Sequence, residues 1–71
     1  MERFLRYSLQ KGRRIRAVLM LDGKLVQKPV TVLAMDSLQV TLLLTAKRPP
    51  ITVPLEAIYS CDYARGDHGE E

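Results

Sequence analysis

A chain of 71 residues with 46% hydrophobic and 27% charged side chains has the composition of one small folded domain, close to the size at which stability becomes marginal or oligomerisation is needed. Its longest apolar runs, residues 17–21 and 42–44, are far too short to cross a bilayer, and charged Glu2 and Arg3 directly after Met1 argue against a secretory signal. The single cysteine, Cys61, excludes an intramolecular disulfide and fits a reducing, cytoplasmic setting.

The net charge of +3 is unevenly spread. Residues 1–28 carry eight basic side chains (Arg3, Arg6, Lys11, Arg13, Arg14, Arg16, Lys24 and Lys28) against Glu2 and Asp22. Residues 50–71 carry only Arg65 against Glu56, Asp62, Asp67, Glu70 and Glu71. A basic front end suits a polyanion. Lys11 to Arg14 also stand where cations favour a helix C-terminus, but six cations between Arg3 and Arg16 exceed what capping needs.

The first predicted element is a helix over residues 2–11, with Phe4, Leu5 and Leu9 on its apolar side and Gly12 as its stop. A strand over residues 15–21 follows, placing Ile15, Ala17, Leu19 and Leu21 on one face. Asp22-Gly23 is a two-residue hairpin signal, because glycine accepts the positive φ of tight primed turns. The returning strand spans residues 24–35, with Val30, Val32 and Ala34 facing inward, and Pro29 is expected to impose a bulge or sharp bend on it.

Asp36-Ser37 predicts a second turn, with the aspartate bonding its own backbone. The third strand is expected over residues 38–45, with Leu38, Val40, Leu42 and Leu44 inward and Leu43 outward, where the helix or a neighbouring subunit would cover it. A polar loop containing Lys47, Arg48, Pro49 and Pro50 leads to a brief strand over residues 51–53, ended by Pro54. One helical or 3₁₀ turn (Leu55, Glu56, Ala57) and a last strand over residues 58–63 complete a single domain, 1–63. The polar, glycine-containing residues 64–71 read as a flexible tail. The fold class is mainly β: an N-terminal α-helix followed by a five-stranded, strongly bent antiparallel barrel.

This order resembles the Sm-like (SH3-like) small β-barrels. Gly23 falls in the hairpin where Sm-like chains, including the Hfq-like bacterial RNA chaperones, carry a glycine; residues 36–42 (Asp-Ser-Leu-Gln-Val-Thr-Leu) are similar to the Hfq pattern entering strand three, and Ala57-Ile58 to the start of its last strand. The resemblance covers about residues 2–63 and implies the barrel, RNA-binding and homo-oligomeric rings. Where Hfq holds uridine-rich RNA this chain reads Pro54-Leu55-Glu56, with no cation or ring, so the uridine pocket is not implied. Residues 51–58 (Ile-Thr-Val-Pro-Leu-Glu-Ala-Ile) also resemble the YolD-like family, small bacterial proteins whose genes often accompany translesion DNA polymerases.

No catalytic constellation is legible. His68 stands alone in the tail, Cys61 has no histidine partner, and Asp22, Asp36 and Asp62 suit turns or cation pairs rather than metal ligation, so neither an enzyme nor a cofactor is expected. The expectation is a nucleic-acid-binding module in which Arg3, Arg6, Lys11, Arg13, Arg14 and Arg16 meet phosphates, with Tyr7 at the edge of that patch. The alternative is a protein-interaction adaptor working through a partner edge at Leu43, Thr52 and Val53, for which the YolD-like resemblance would make a DNA-repair polymerase the partner; self-association through the same edge, as a ring or a dimer, is expected as well.

Overall fold

A computed structural model describes residues 2–69. Helix α1 (Glu2–Lys11) precedes strands β1 (Ile15–Leu21), β2 (Lys24–Met35), β3 (Gln39–Leu43) and β4 (Ile51–Pro54), a 3₁₀ turn (Leu55–Ala57) and strand β5 (Ile58–Tyr63). The strands form one antiparallel sheet in the order β4-β3-β2-β1-β5. No helix among the described residues is long and apolar enough to cross a membrane. The expected closure into a barrel is not formed: β4 and β5 are the two edges and share no ladder.

Strand β2 organises the sheet by changing partners. Its residues 24–30 pair with β1, from Leu21↔Lys24 to Ile15↔Val30, and from Thr31 onward it pairs with β3 instead. The hairpin before it turns on Asp22 and Gly23, both at positive φ (51° and 76°), which matches the right-handed twist of the flanking strands. A two-residue hairpin makes Leu21 and Lys24 a hydrogen-bonded pair. Alternate pairs along the ladder are then hydrogen-bonded, and Arg16↔Pro29 falls on a pair that is not.

Pro29 therefore removes no bond to β1, and the register runs through it without the expected bulge. Its effect falls on β3. Extending Thr31↔Leu43 would set Thr45 opposite Pro29, whose nitrogen faces that side and has no hydrogen to donate. Strand β3 accordingly ends at Leu43 rather than at residue 45.

The bulge sits at Leu33, where the β2–β3 register slips between Val32 and Ala34. The slip inverts the alternation, so Ala34, expected inside, is exposed, and Met35 packs against the core opposite Val40. Leu38, also expected inside, is 77% exposed. The Asp36 carboxylate accepts hydrogen bonds from the Leu38 and Gln39 backbone N–H groups (2.8 and 2.9 Å), and this turn holds Leu38 outside the ladder.

The core comprises Leu5, Ile15, Ala17, Leu19, Val30, Val32, Val40, Leu42 and Ile58. Helix α1 covers the end of this core nearest Val32 and Tyr63, chiefly against β2 and β5. Leu9 stays partly exposed, and the second buried position of the helix is Ser8. The Ser8 hydroxyl donates to the Arg13 carbonyl (2.6 Å) and accepts from the Val32 N–H (2.9 Å). Continuing the β1–β2 register past Ile15↔Val30 would bond Arg13 to Val32 directly. Ser8 thus stands inside an opened rung, and every buried side-chain polar atom among the described residues has a partner.

Candidate nucleic-acid interface

The helix and the last strand meet through three rings. Tyr63, closing β5, has Phe4 edge-on at 4.8 Å (78° between planes) and Tyr7 edge-on at 5.2 Å (77°). These arrangements suit the ring quadrupoles and tie α1 to β5. Phe4 and Tyr7 lie three residues apart on one face of α1, which is why both reach the same strand end.

The six expected phosphate contacts divide around this hub. The Arg3 guanidinium lies 5.0 Å from the centre of the Phe4 ring. Arg13 donates to the Tyr7 hydroxyl at 3.4 Å. Arg16 donates from Nε to the Tyr63 carbonyl (2.9 Å) and pairs with Asp62 at 3.2 Å, directly across the β1–β5 ladder. Three of the arginines therefore converge on Phe4, Tyr7 and Tyr63. Arg14 is exposed at the junction between helix and strand and has no ion pair or hydrogen bond among the described residues. Lys11 is exposed in the last turn of α1. Arg6 lies elsewhere: it pairs with Glu2 at 3.0 Å and lines a shallow cleft with Met35, Asp36 and Ser37. All six cations are solvent-exposed, so their ion pairs are weak and exchangeable.

An acidic side chain from the segment after β5 also reaches this corner. Asp67 accepts from the Tyr7 hydroxyl with both oxygens (2.9 and 2.8 Å), accepts from the Gly69 N–H (2.9 Å) and lies 3.8 Å from Arg13. The Gly69 hydrogen bond, then the Tyr7 hydroxyl and the Arg13 charge, hold the Asp67 carboxyl below its ordinary range. Burial, then the hydrogen bond to Asp67, push the Tyr7 hydroxyl up. Gly69 passes so close to Tyr63 that a Cβ there would stand 2.5 Å from the phenol oxygen, at a φ of 77° that disfavours any side chain. Within residues 64–69, expected to be loose, Asp67 and Gly69 thus make specific contacts; residues 70 and 71 of the same expected tail lie outside the described residues.

The partner edge is assembled only in part. Thr52 is exposed on β4, where its hydroxyl meets that of Thr41 at 2.9 Å. Val53, opposite Val40, packs inward against the core. Leu43, opposite Thr31, is half-buried. Cys61 is a free thiol, also half-buried, and burial pushes its pKa up, away from the reactive thiolate. No cluster of three or more His, Cys, Asp or Glu side chains among the described residues is placed to hold a metal ion.

Reading the sequence alone misses Tyr63 and Asp67 as members of this corner. Tyr63 had a signal, an aromatic residue ending the strand that must return beside β1, whereas Asp67 had none, since its partner Tyr7 is 60 residues away. Comparison with protein-family models, with curated proteins and with solved structures found no match to this chain.

Proposed function

We propose that this protein is a non-catalytic, Sm-like nucleic-acid-binding module that acts in the cytoplasm and grips phosphates at the corner between α1 and β1. The observation that carries this reading is the convergence of Arg3, Arg13 and Arg16 on the Phe4–Tyr7–Tyr63 cluster, with Arg14 beside them at the element junction. The three rings are half-buried and engage one another, so base stacking contributes little and phosphate contacts supply the affinity. RNA and DNA are both suitable ligands for such a surface, with little base readout. The two open edges, β4 and β5, suit homo-oligomer formation and would complete a barrel-like surface across protomers.

The test is anisotropy of a labelled oligothymidine between 50 and 200 mM salt. Four neutralised phosphates give a slope of log K against log salt of about −3, from roughly −0.7 per phosphate on single strands. Arg14→Ala is expected to reduce that slope by about 0.7, and joint replacement of Arg13, Arg14 and Arg16 by Ala to weaken binding across all sequences alike. A slope near zero, or unaltered binding by the triple variant, overturns this reading.

The exposed Thr52 on an open edge strand favours a second reading, an adaptor that offers β4 to a protein partner such as a DNA-repair polymerase. That reading expects a complex that survives nuclease and moderate salt and is lost on Thr52→Pro.

A further inference from the structure

The end of the core opposite α1 is open. A groove of about 1060 Å³ runs there between the first half of β2 and the β3–β4 connection. Its floor is apolar, formed by Leu21, Val26, Leu44 and Ile51. Its rim carries Lys24, Lys28 and Arg48 against the single acid Asp22, and none of these four has an ion pair among the described residues. β1 runs from the phosphate corner at Ile15 to this groove at Leu21, so the two surfaces lie about 20 Å apart at roughly 3.3 Å per residue.

The groove also has an unused ladder. Residues 24–30 of β2 pair with β1 alone, and β3 leaves at Leu43 because Pro29 cannot donate to it. By the alternation set at the hairpin, the backbone N–H and C=O groups of Leu25 and Gln27 point away from β1, toward the vacated side. The Leu25 side chain itself stands on the opposite face of the strand and is 55% exposed. Lys24, Val26 and Lys28 share one face of the strand and line the groove, a cation, an apolar side chain and a cation in succession.

We propose that this groove receives an extended peptide segment of a protein partner, added as a short strand beside Leu25 to Gln27, with the pattern acid–any–apolar–any–acid. Directly opposed residues in a paired strand share a face, so an apolar residue opposite Val26 meets the floor while acids on either side meet Lys24 and Lys28, with Arg48 across the groove. Pro29 limits the pairing to two residues' backbone groups, which makes the side-chain pattern decisive for recognition. This surface is independent of the phosphate corner.

The probe is a labelled, blocked heptapeptide of threonine, glutamate, threonine, leucine, threonine, glutamate and threonine, titrated by anisotropy and by amide shifts of the full chain. The expected result is binding at least tenfold tighter than that of a peptide in which the leucine is moved by one position, which sends it to the opposite face. A peptide with lysines replacing the glutamates is expected to be weaker by the same factor. The largest shifts are expected at the Leu25 and Gln27 amides. Lys24→Glu with Lys28→Glu, both on exposed side chains, is expected to cost at least tenfold, while Arg14→Ala leaves peptide binding unchanged. Equal binding of the shifted peptide, unmoved Leu25 and Gln27 amides, or displacement of the peptide by oligothymidine overturns the proposal.

Discussion

Replacing Ser8 with alanine isolates one hydroxyl whose loss is easily stated. The side chain is fully buried and bridges the Val32 N–H and the Arg13 carbonyl. In Ser8→Ala the Val32 amide, on a residue 2% exposed, keeps its burial and loses its acceptor, at a cost of about 1–3 kcal/mol. Arg13 is an exposed residue whose carbonyl can turn to water, so its share is small. A net loss of about 2 kcal/mol is large for a chain whose total stability is of order 4–10 kcal/mol. At about 4–8 °C per kcal/mol for a domain of this size, Tm falls by roughly 8–16 °C, measured by circular dichroism. Amide exchange at Val32 should quicken by more than at Val40, which keeps its ladder. A Tm within about 2 °C of the parent chain, with Val32 still protected, would refute the bridged rung.

Leu42→Ala, at a fully buried position, is expected to cost about 2–5 kcal/mol in denaturant titration, and a change below 1 kcal/mol would show that the site is not enclosed. The Asp67–Tyr7 contact should have a defined pH window. Because the Asp67 pKa is lowered, its contribution is complete above the ordinary value of 3.8 and is lost only as pH falls through the lower folded value. Because the Tyr7 pKa is raised, its contribution is complete below the ordinary value of 10.0 and is lost as pH rises through the higher folded value. The Gly69 amide shift reads both limits, and an acid midpoint at or above 3.8 would contradict the docking. Self-association through the β4 and β5 edges should appear in sedimentation at micromolar concentration as species heavier than the 8.1 kDa chain; a monomer alone would count against it.

Element boundaries are legible in this chain where alternation and punctuation agree. Asp22-Gly23, Gly12 and the Pro54 stop place α1, β1, β2 and the 3₁₀ turn. What escapes sequence reading is non-local. Pro29 reads as a bend in its own strand, yet it acts on the strand beside it, and only the register reveals that. The bulge at Leu33 has no glycine or proline to announce it and moves Ala34 out of the core. Ser8 looks like a polar residue on a helix, because its value depends on a rung between residues 13 and 32. At the candidate site the cations are plain in the sequence. Their separation into Arg3, Arg13 and Arg16 on one flank and Arg6 on another depends on where Tyr63 ends.

Strand order has a consequence for the order in which the chain can complete itself. β1 to β4 form a meander in which each strand pairs with the one just made, so these contacts are local and fast to form. β5 alone returns across the whole sequence, pairing Tyr63 with Ile15. During synthesis the outer edge of β1, with Ile15, Ala17 and Leu19 along it, stays uncovered until residue 63 has emerged. Over that interval the nascent chain presents an apolar strand that any neighbouring edge can take. The cation Arg16, carried on that same strand, is well placed to discourage such pairing until Asp62 arrives to meet it.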